Sequence, residues 1–245
     1  EMKMTHLLRL QQLAKLLDIT RLQDNDNEQA FTQWLQSLPK MTVAAYCVYP
    51  HFLPVLQHWL LSRPAAAVAT VVNFPSAEFS SEQVCEQIQQ AISAGASEID
   101  CVMPYKSLLR GESGSVKHFL YDVRQAAAGR CLKIIIESGE LITAQQIAKA
   151  TELAIDSGAD FVKTSTGKVA VGVTDEAARI ILTVIAASGR KVGFKASGGV
   201  KTLEHALHLV DLFESICEET ATSQYMRIGA SSLALDVSQA MQSAG

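Results

Sequence analysis

Three charged residues stand inside apolar, strand-like stretches: Asp100 in Glu98-Ile99-Asp100-Cys101-Val102-Met103, Lys163 in Phe161-Val162-Lys163-Thr164, and Lys195 in Val192-Gly193-Phe194-Lys195. Lysine and aspartate are almost never fully buried unless paired, so charges delivered by separate strands are expected to meet. A strand lysine becomes a nucleophile when its ammonium is destabilised, because only the neutral amine adds to a carbonyl to form an imine. A second lysine supplies the destabilisation. Two ammonium groups about 5 Å apart at an effective dielectric near 20 repel by roughly 3 kcal/mol, enough to bring one amine toward neutral pH. Asp100 could then relay protons to a carbon chain, directly or through water. Taken singly, a strand-end lysine reads as a salt bridge or a snorkelling side chain; three charges from three strands tip the reading toward chemistry. Asp18 and Glu137, also at strand ends, read first as carboxylates that neutralise a lysine and fix its position.

A second constellation is rich in glycine and lies late in the chain: Ser197-Gly198-Gly199-Val200-Lys201 and Gly229-Ala230-Ser231-Ser232. Each is read as opening a helix, where free amides with glycine beside them attract a phosphate. The hydroxyls of Ser231 and Ser232 and the cation of Lys201 would reinforce the site. With the lysine, these loops suggest a phosphorylated carbonyl substrate.

Three look-alikes fail. Thr166-Gly167-Lys168 is not a P-loop ending, since Val162 occupies the first glycine position and Val169 the Ser/Thr position. Ser165-x-x-Lys168 lacks the companion elements of the penicillin-binding enzymes. His205 and His208 share a helix face without a third ligand, so they read as a solvated face rather than a metal site. No metal and no cofactor are expected, which for an aldol reaction favours an imine over a metal-bound enolate.

The elements that must position these residues follow from the alternation of the sequence. Strands are expected at 18–20, 43–49, 68–74, 98–103, 132–137, 161–164, 192–195 and 225–229. A first helix is expected over 5–17, and others at 28–38, 50–61, 81–94, 115–127, 144–157, 174–188, 202–212 and 231–241. Ser and Thr at helix starts supply caps, and Gly95, Gly158 and Gly189 stand where a helix must turn back. Alternating strands and helices imply parallel pairing. Eight units recurring about every 30 residues suggest an α/β fold, a single (β/α)8 TIM barrel over residues 1–245 with an extra N-terminal helix. A doubly wound open sheet predicts the same alternation. The polar strand ends favour the barrel, whose chemistry sits at the carboxyl ends of its strands.

Composition narrows the partners. The chain has 245 residues, 48% hydrophobic and 19% charged, with a net charge of -4 and no Lys/Arg-rich run, which argues against nucleic acid or an anionic membrane surface. No apolar run approaches the ~20 residues of a membrane span. The five cysteines are odd in number and contain no Cys-x-x-Cys pair, so neither a disulfide framework nor a zinc site is read, and a reducing cytoplasm is expected. Glu1-Met2-Lys3-Met4-Thr5-His6 lacks the apolar core of a signal peptide, and Glu1 reads as an appended residue.

The segments Phe161 to Lys168, Val192 to Val200, Glu98 to Tyr105 and Arg227 to Ser232 closely resemble the motifs of the deoxyribose-phosphate aldolase family. The likeness runs in order from Leu17-Asp18-Ile19-Thr20 to Ser232. It implies a class I aldolase, a lyase that reversibly cleaves 2-deoxy-D-ribose 5-phosphate to acetaldehyde and D-glyceraldehyde 3-phosphate. By position, Lys163 would form the Schiff base, with Asp100 and Lys195 as the proton donor and acceptor. Asp18, Thr166, Gly167, Lys168, Gly198, Gly199, Gly229, Ser231 and Ser232 would serve the substrate or phosphate, and Thr20 and Lys168 lie where hydroxyl contacts are expected. Cys47 matches a cysteine close to the pocket. The implied partners are a phosphorylated deoxysugar and small aldehydes, with a homodimer as the assembly to test, in cytoplasmic carbohydrate and deoxyribonucleotide catabolism. Some members carry a longer C-terminal tail ending in tyrosine that can reach the active site, and the given sequence, which ends at Ala244-Gly245, does not show it. Ala196-Ser197 replaces the Pro-Ala found in part of the family, a mild change. The alternatives are another imine-forming phospho-sugar barrel of the transaldolase or keto-acid type, and a non-catalytic phosphosugar-binding barrel.

Overall fold

Apolar runs rich in Val and Ile form eight parallel strands: β1 (Leu17–Arg21), β2 (Ala45–Val48), β3 (Ala67–Val72), β4 (Glu98–Val102), β5 (Cys131–Ile135), β6 (Phe161–Lys163), β7 (Gly193–Ser197) and β8 (Met226–Ala230). Each pairs with its sequence neighbour, and β1 also pairs with β8, which closes the sheet into a (β/α)8 barrel. Closure excludes the open-sheet alternative. The computed structural model describes residues 2–245, with side chains from Thr5 onward; Glu1 lies outside the described residues.

The helices are α1 (Met2–Leu16) before β1, α2 (Glu28–Ser37), α3 (Leu53–Leu60), α4 (Ser81–Ser93), α5 (Tyr105–Leu109), α6 (Ser113–Ala126), α7 (Ala144–Asp156), α8 (Asp175–Ser188), α9 (Leu203–Cys217) and α10 (Leu233–Ala244). Local sequence sets their ends. Ser80 and Thr143 form reciprocal capping boxes with Gln83 and Gln146, and Thr174 and Thr202 accept from the amides of Ala177 and His205. Gly95, Gly158 and Gly189 all take left-handed backbone after their helices. Among the described residues no helix is long and apolar enough to cross a membrane.

Three elements depart from expectation. The helix expected from Pro50 begins as a 3-10 turn over Pro50–Phe52, because Pro54 has no N–H to give the Pro50 carbonyl, and the Leu53 amide closes the turn instead. α5 lies between the expected strand at 98–103 and the expected helix at 115–127, where no element was assigned. α9 runs five residues past Leu212: Phe213 is buried, and Glu214 is held by Arg9 and Gln12 of α1 and by the Ala221 amide.

The main apolar core lies between strands and helices, as in Ile134, Val162 and Phe194 against the helix ring. Inside the barrel, residues at matched register positions face the same way. Register matches Asp100 with Lys133, Lys163 with Lys195, and Lys195 with Arg227, so the fold delivers these charges to one interior.

Candidate active site

The interior charges form a ladder along the barrel axis. At its base Arg227 grips Glu98 through two hydrogen bonds of 2.8 and 2.9 Å and donates to Asp18 Oδ1 at 3.0 Å. Lys133 Nζ lies 2.9 Å from Asp18, 2.8 Å from Glu98 and 3.1 Å from Asp100 Oδ1, the last an ion pair without hydrogen-bond alignment. Above them Lys195 donates to Asp18 Oδ2 at 2.7 Å and to Asp100 Oδ2 at 2.9 Å. Lys163 reaches that same oxygen of Asp100 at 2.9 Å from the other side.

Four cations, Lys133, Lys163, Lys195 and Arg227, thus face three carboxylates, Asp18, Glu98 and Asp100. Fully ionised, the set carries one uncompensated positive charge. Buried charge is tolerated only when paired, and the least paired cation is Lys163, whose one carboxylate partner is Asp100. Burial and the Lys195 ammonium lower the pKa of Lys163, and Asp100 only partly offsets them. Lys195 is equally buried, but Asp100 and Asp18 outweigh that burial and raise it. Burial also opposes ionisation of Asp100, which the three lysines nevertheless hold well below the usual carboxylate range. Two neighbouring lysines are therefore driven apart, one toward a neutral amine and one toward a lasting ammonium.

Lys163, with 3% of its surface exposed, ends on the floor of a cavity of about 230 Å³ at the carboxyl ends of the strands. The cavity wall includes Thr20, Thr166, Gly167, Gly198, Gly199, Gly229, Ser231 and Ser232, nine of the expected site residues when Lys163 is counted. Ser232 is the N-cap residue of α10 but makes no side-chain capping bond, so the helix start presents uncapped amides beside the cavity. Gly198 and Gly199 have φ of 88° and 82°, and a Cβ on Gly198 would come within 2.9 Å of Gly172 Cα. The turn leads into α9 where a helix was expected: α9 starts at Leu203 behind its own cap, Thr202, three residues after Gly199. Lys201, on the same wall, adds a cation.

The remaining expected residues lie elsewhere. Asp100 and Lys195 are wholly buried beneath Lys163. Asp18, grouped with the substrate contacts in the sequence reading, is also fully buried and spends both oxygens on Lys133, Lys195 and Arg227. Lys168 donates to the carbonyl of Leu22, a residue of the cavity wall, and lies 3.6 Å from Asp24, so it ties the loop after β6 to the loop after β1. Cys47 sits on β2 with no exposure, and burial first, then Asp100, raises its thiol pKa. Glu137 adopts left-handed backbone and accepts from the Thr166 amide at 3.0 Å and hydroxyl at 2.6 Å, which fixes the loop after β6. His208 pairs with Asp175 at 2.9 Å on the outer surface.

Sequence reasoning missed Lys133, Glu98 and Arg227. Lys133 carried the same signal as Lys163, a lysine within an apolar run. Glu98 and Arg227 stand two residues before Asp100 and Gly229, hence on the same strand face.

The cavity thus lies at the carboxyl ends of the strands of a closed barrel, with a buried, charge-paired lysine in its lining. A family model described as DeoC/LacD family aldolase matches residues 12–233, and the chain belongs to that family. Among solved structures, a protein named "putative deoxyribose-phosphate aldolase" from Coccidioides immitis is 27% identical, covers 94% of this chain and 86% of its own, and superposes with a TM-score of 0.84. A structure named "QR15, an Aldolase" is 25% identical over 94% of this chain and 96% of its own, with a TM-score of 0.80. The deoxyribose phosphate aldolase of Aeropyrum pernix, described as a tetramer, shares the fold at 21% identity, covering 98% of this chain and 95% of its own with a TM-score of 0.74.

Proposed function

We propose that this aldolase works through a lysine imine and reversibly cleaves 2-deoxy-D-ribose 5-phosphate to acetaldehyde and D-glyceraldehyde 3-phosphate. One observation carries the reading: Lys163, on the cavity floor, shares an oxygen of Asp100 with Lys195 and is the interior cation with the least counter-charge.

The open-chain sugar enters with its phosphate toward the uncapped start of α10, the Gly198-Gly199 turn, Ser231, Ser232 and Lys201. Its C1 aldehyde then lies over Lys163. The neutral amine adds to C1, and Lys195 or Asp100 returns a proton to the oxygen as water leaves. Acetaldehyde contains C1 and C2, so the bond that breaks is C2–C3. Its electron pair moves into the protonated imine to form an enamine, while the C3 hydroxyl gives its proton to Asp100, directly or through water. D-Glyceraldehyde 3-phosphate departs. Lys195 and Asp100 protonate C2 of the enamine, and hydrolysis frees acetaldehyde and the amine. Thr20, on the cavity wall, would meet a sugar hydroxyl. Lys168, whose ammonium donates to the carbonyl of cavity-lining Leu22, keeps further N–H donors for a sugar hydroxyl.

The test is turnover of 2-deoxyribose 5-phosphate, with acetaldehyde and glyceraldehyde 3-phosphate measured separately. Equal amounts of both products are expected. Cleavage of ketose phosphates without acetaldehyde would assign the site to a transaldolase-like reaction, and ligand stabilisation without turnover would assign it to binding alone.

A further inference from the structure

We infer that the Glu98–Arg227 pair at the base of the barrel is a positioning unit for Lys163, setting through Asp18, Lys133 and Asp100 which interior lysine lacks a full counter-charge. The inference rests on the imine reading above and extends it to two residues that touch neither the cavity nor the lysine.

The connections are direct. Arg227 Nη1 bridges Glu98 Oε1 at 2.8 Å and Asp18 Oδ1 at 3.0 Å, so one oxygen of Asp18 is held and the other is left to Lys133 at 2.9 Å and Lys195 at 2.7 Å. Glu98 in turn occupies Lys133 at 2.8 Å, which leaves Oδ2 of Asp100 to Lys195 and Lys163. Asp100 therefore answers Lys163 only with what Lys133 and Lys195 do not use. Packing holds the pair in place: Arg227 lies 5.0 Å from the Phe161 ring centroid and donates to the Ser223 carbonyl.

Removing either member changes the net charge of the ladder in opposite directions. Without Glu98, Lys133 and Arg227 draw on Asp18 and Asp100, and Lys163 gives up its proton more readily. Without Arg227, Asp18 and Glu98 are freed for the lysines, Asp100 turns to Lys163, and that lysine keeps its proton. The groups facing Lys163 are Asp100 of β4, Lys195 of β7, Cys47 of β2 and Glu137 after β5. Those facing the pair are Asp18, Lys133 and Cys131, with Arg124, Arg130 and Asp160 lining the same cleft. None of these is altered by the substitutions. A unit charge removed at about 10 Å moves a neighbouring pKa by about one pH unit.

The experiment records the acid limb of kcat/KM, and the pH midpoint of borohydride trapping on Lys163, for wild type, E98Q, R227M, R227K and E98Q/R227M. Circular dichroism at each pH restricts the comparison to folded protein. E98Q is expected to move both midpoints down by about one pH unit and R227M to move them up by about as much, with R227K and the double variant returning close to wild type. Loss of packing alone would lower activity without shifts of opposite sign. Midpoints that stay put, or that move the same way in both single variants, would overturn the inference while leaving a wild-type adduct on Lys163 intact. Absence of that adduct in wild type would instead remove the imine reading beneath it.

Discussion

The barrel interior is divided into two unlike sectors. β2 and β3 turn Ala45, Cys47, Ala69 and Val71 inward, a small apolar cluster sealed by Leu22, Tyr49 and Phe74. β1 and β4 to β8 turn in Asp18, Glu98, Asp100, Lys133, Lys163, Lys195 and Arg227, all buried. The contrast shows how one fold makes a reactive amine. The apolar sector excludes water and lowers the local dielectric, which makes burial the largest influence on Lys163. The ionic sector then decides which group yields. Carboxylates compensate Lys133 and Lys195, and the deficit falls on Lys163. A thiol on the apolar side follows the same rule, since burial keeps Cys47 protonated and poorly nucleophilic.

The sharpest way to break this division is to remove the yielding group. Lys163→Leu keeps the volume and deletes the amine, and kcat for deoxyribose 5-phosphate cleavage is expected to fall on the order of 10⁴-fold or more while the protein still folds. Asp100→Asn strips Lys163 and Lys195 of their shared carboxylate. A loss of roughly 10²–10⁴-fold in kcat is expected, together with about 3–5 kcal/mol of stability in urea unfolding, because three buried lysines lose a counter-ion. Ser232→Asp places an anion at the start of α10, and KM for the phosphorylated sugar should rise by about tenfold or more with kcat nearly unchanged. Ala69→Leu overfills the apolar sector and is expected to cost about 1–3 kcal/mol in stability without shifting the acid limb.

Acid stability separates the sectors in another way. Asp18, Glu98 and Asp100 have folded pKa values below their unfolded ones, where cations overcome the opposing effect of burial. Their contribution is present above the ordinary carboxylate range and is lost as pH falls toward the folded values. Through these three carboxylates the unfolding free energy should drop steeply below about pH 4, whereas the lowered pKa of Lys163 acts at higher pH, adding stability as pH rises past its folded value toward the ordinary lysine range. A level profile down to pH 2 would show that the ionic sector adds no net stability.

Most of the barrel was legible in the sequence because each strand and helix carried its own signal: a β-branched run, a capping Ser or Thr, a turning glycine. Misplaced boundaries came from long-range causes, such as the docking of Glu214 on α1, or from a single missing donor at Pro54. The upper half of the site was legible for the same reason, since Lys163, Lys195 and Asp100 stand out against apolar neighbours. The lower half was not. Glu98 and Arg227 lie at the starts of their strands, where a charge reads as solvated, although the two-residue strand period from Asp100 and Gly229 puts them on the inward face. Lys168, which the family resemblance placed at the substrate, donates to the carbonyl of Leu22, a residue of the cavity wall on the neighbouring loop.

The central claim is that Lys163 is the amine left without full counter-charge and reacts for that reason. Incubating the protein with deoxyribose 5-phosphate, reducing with borohydride and mapping the adduct by mass spectrometry tests it directly. The account predicts a reduced two-carbon or sugar adduct on the peptide containing Lys163 and none on Lys133 or Lys195. An adduct on Lys195, or no adduct during active turnover, would contradict it.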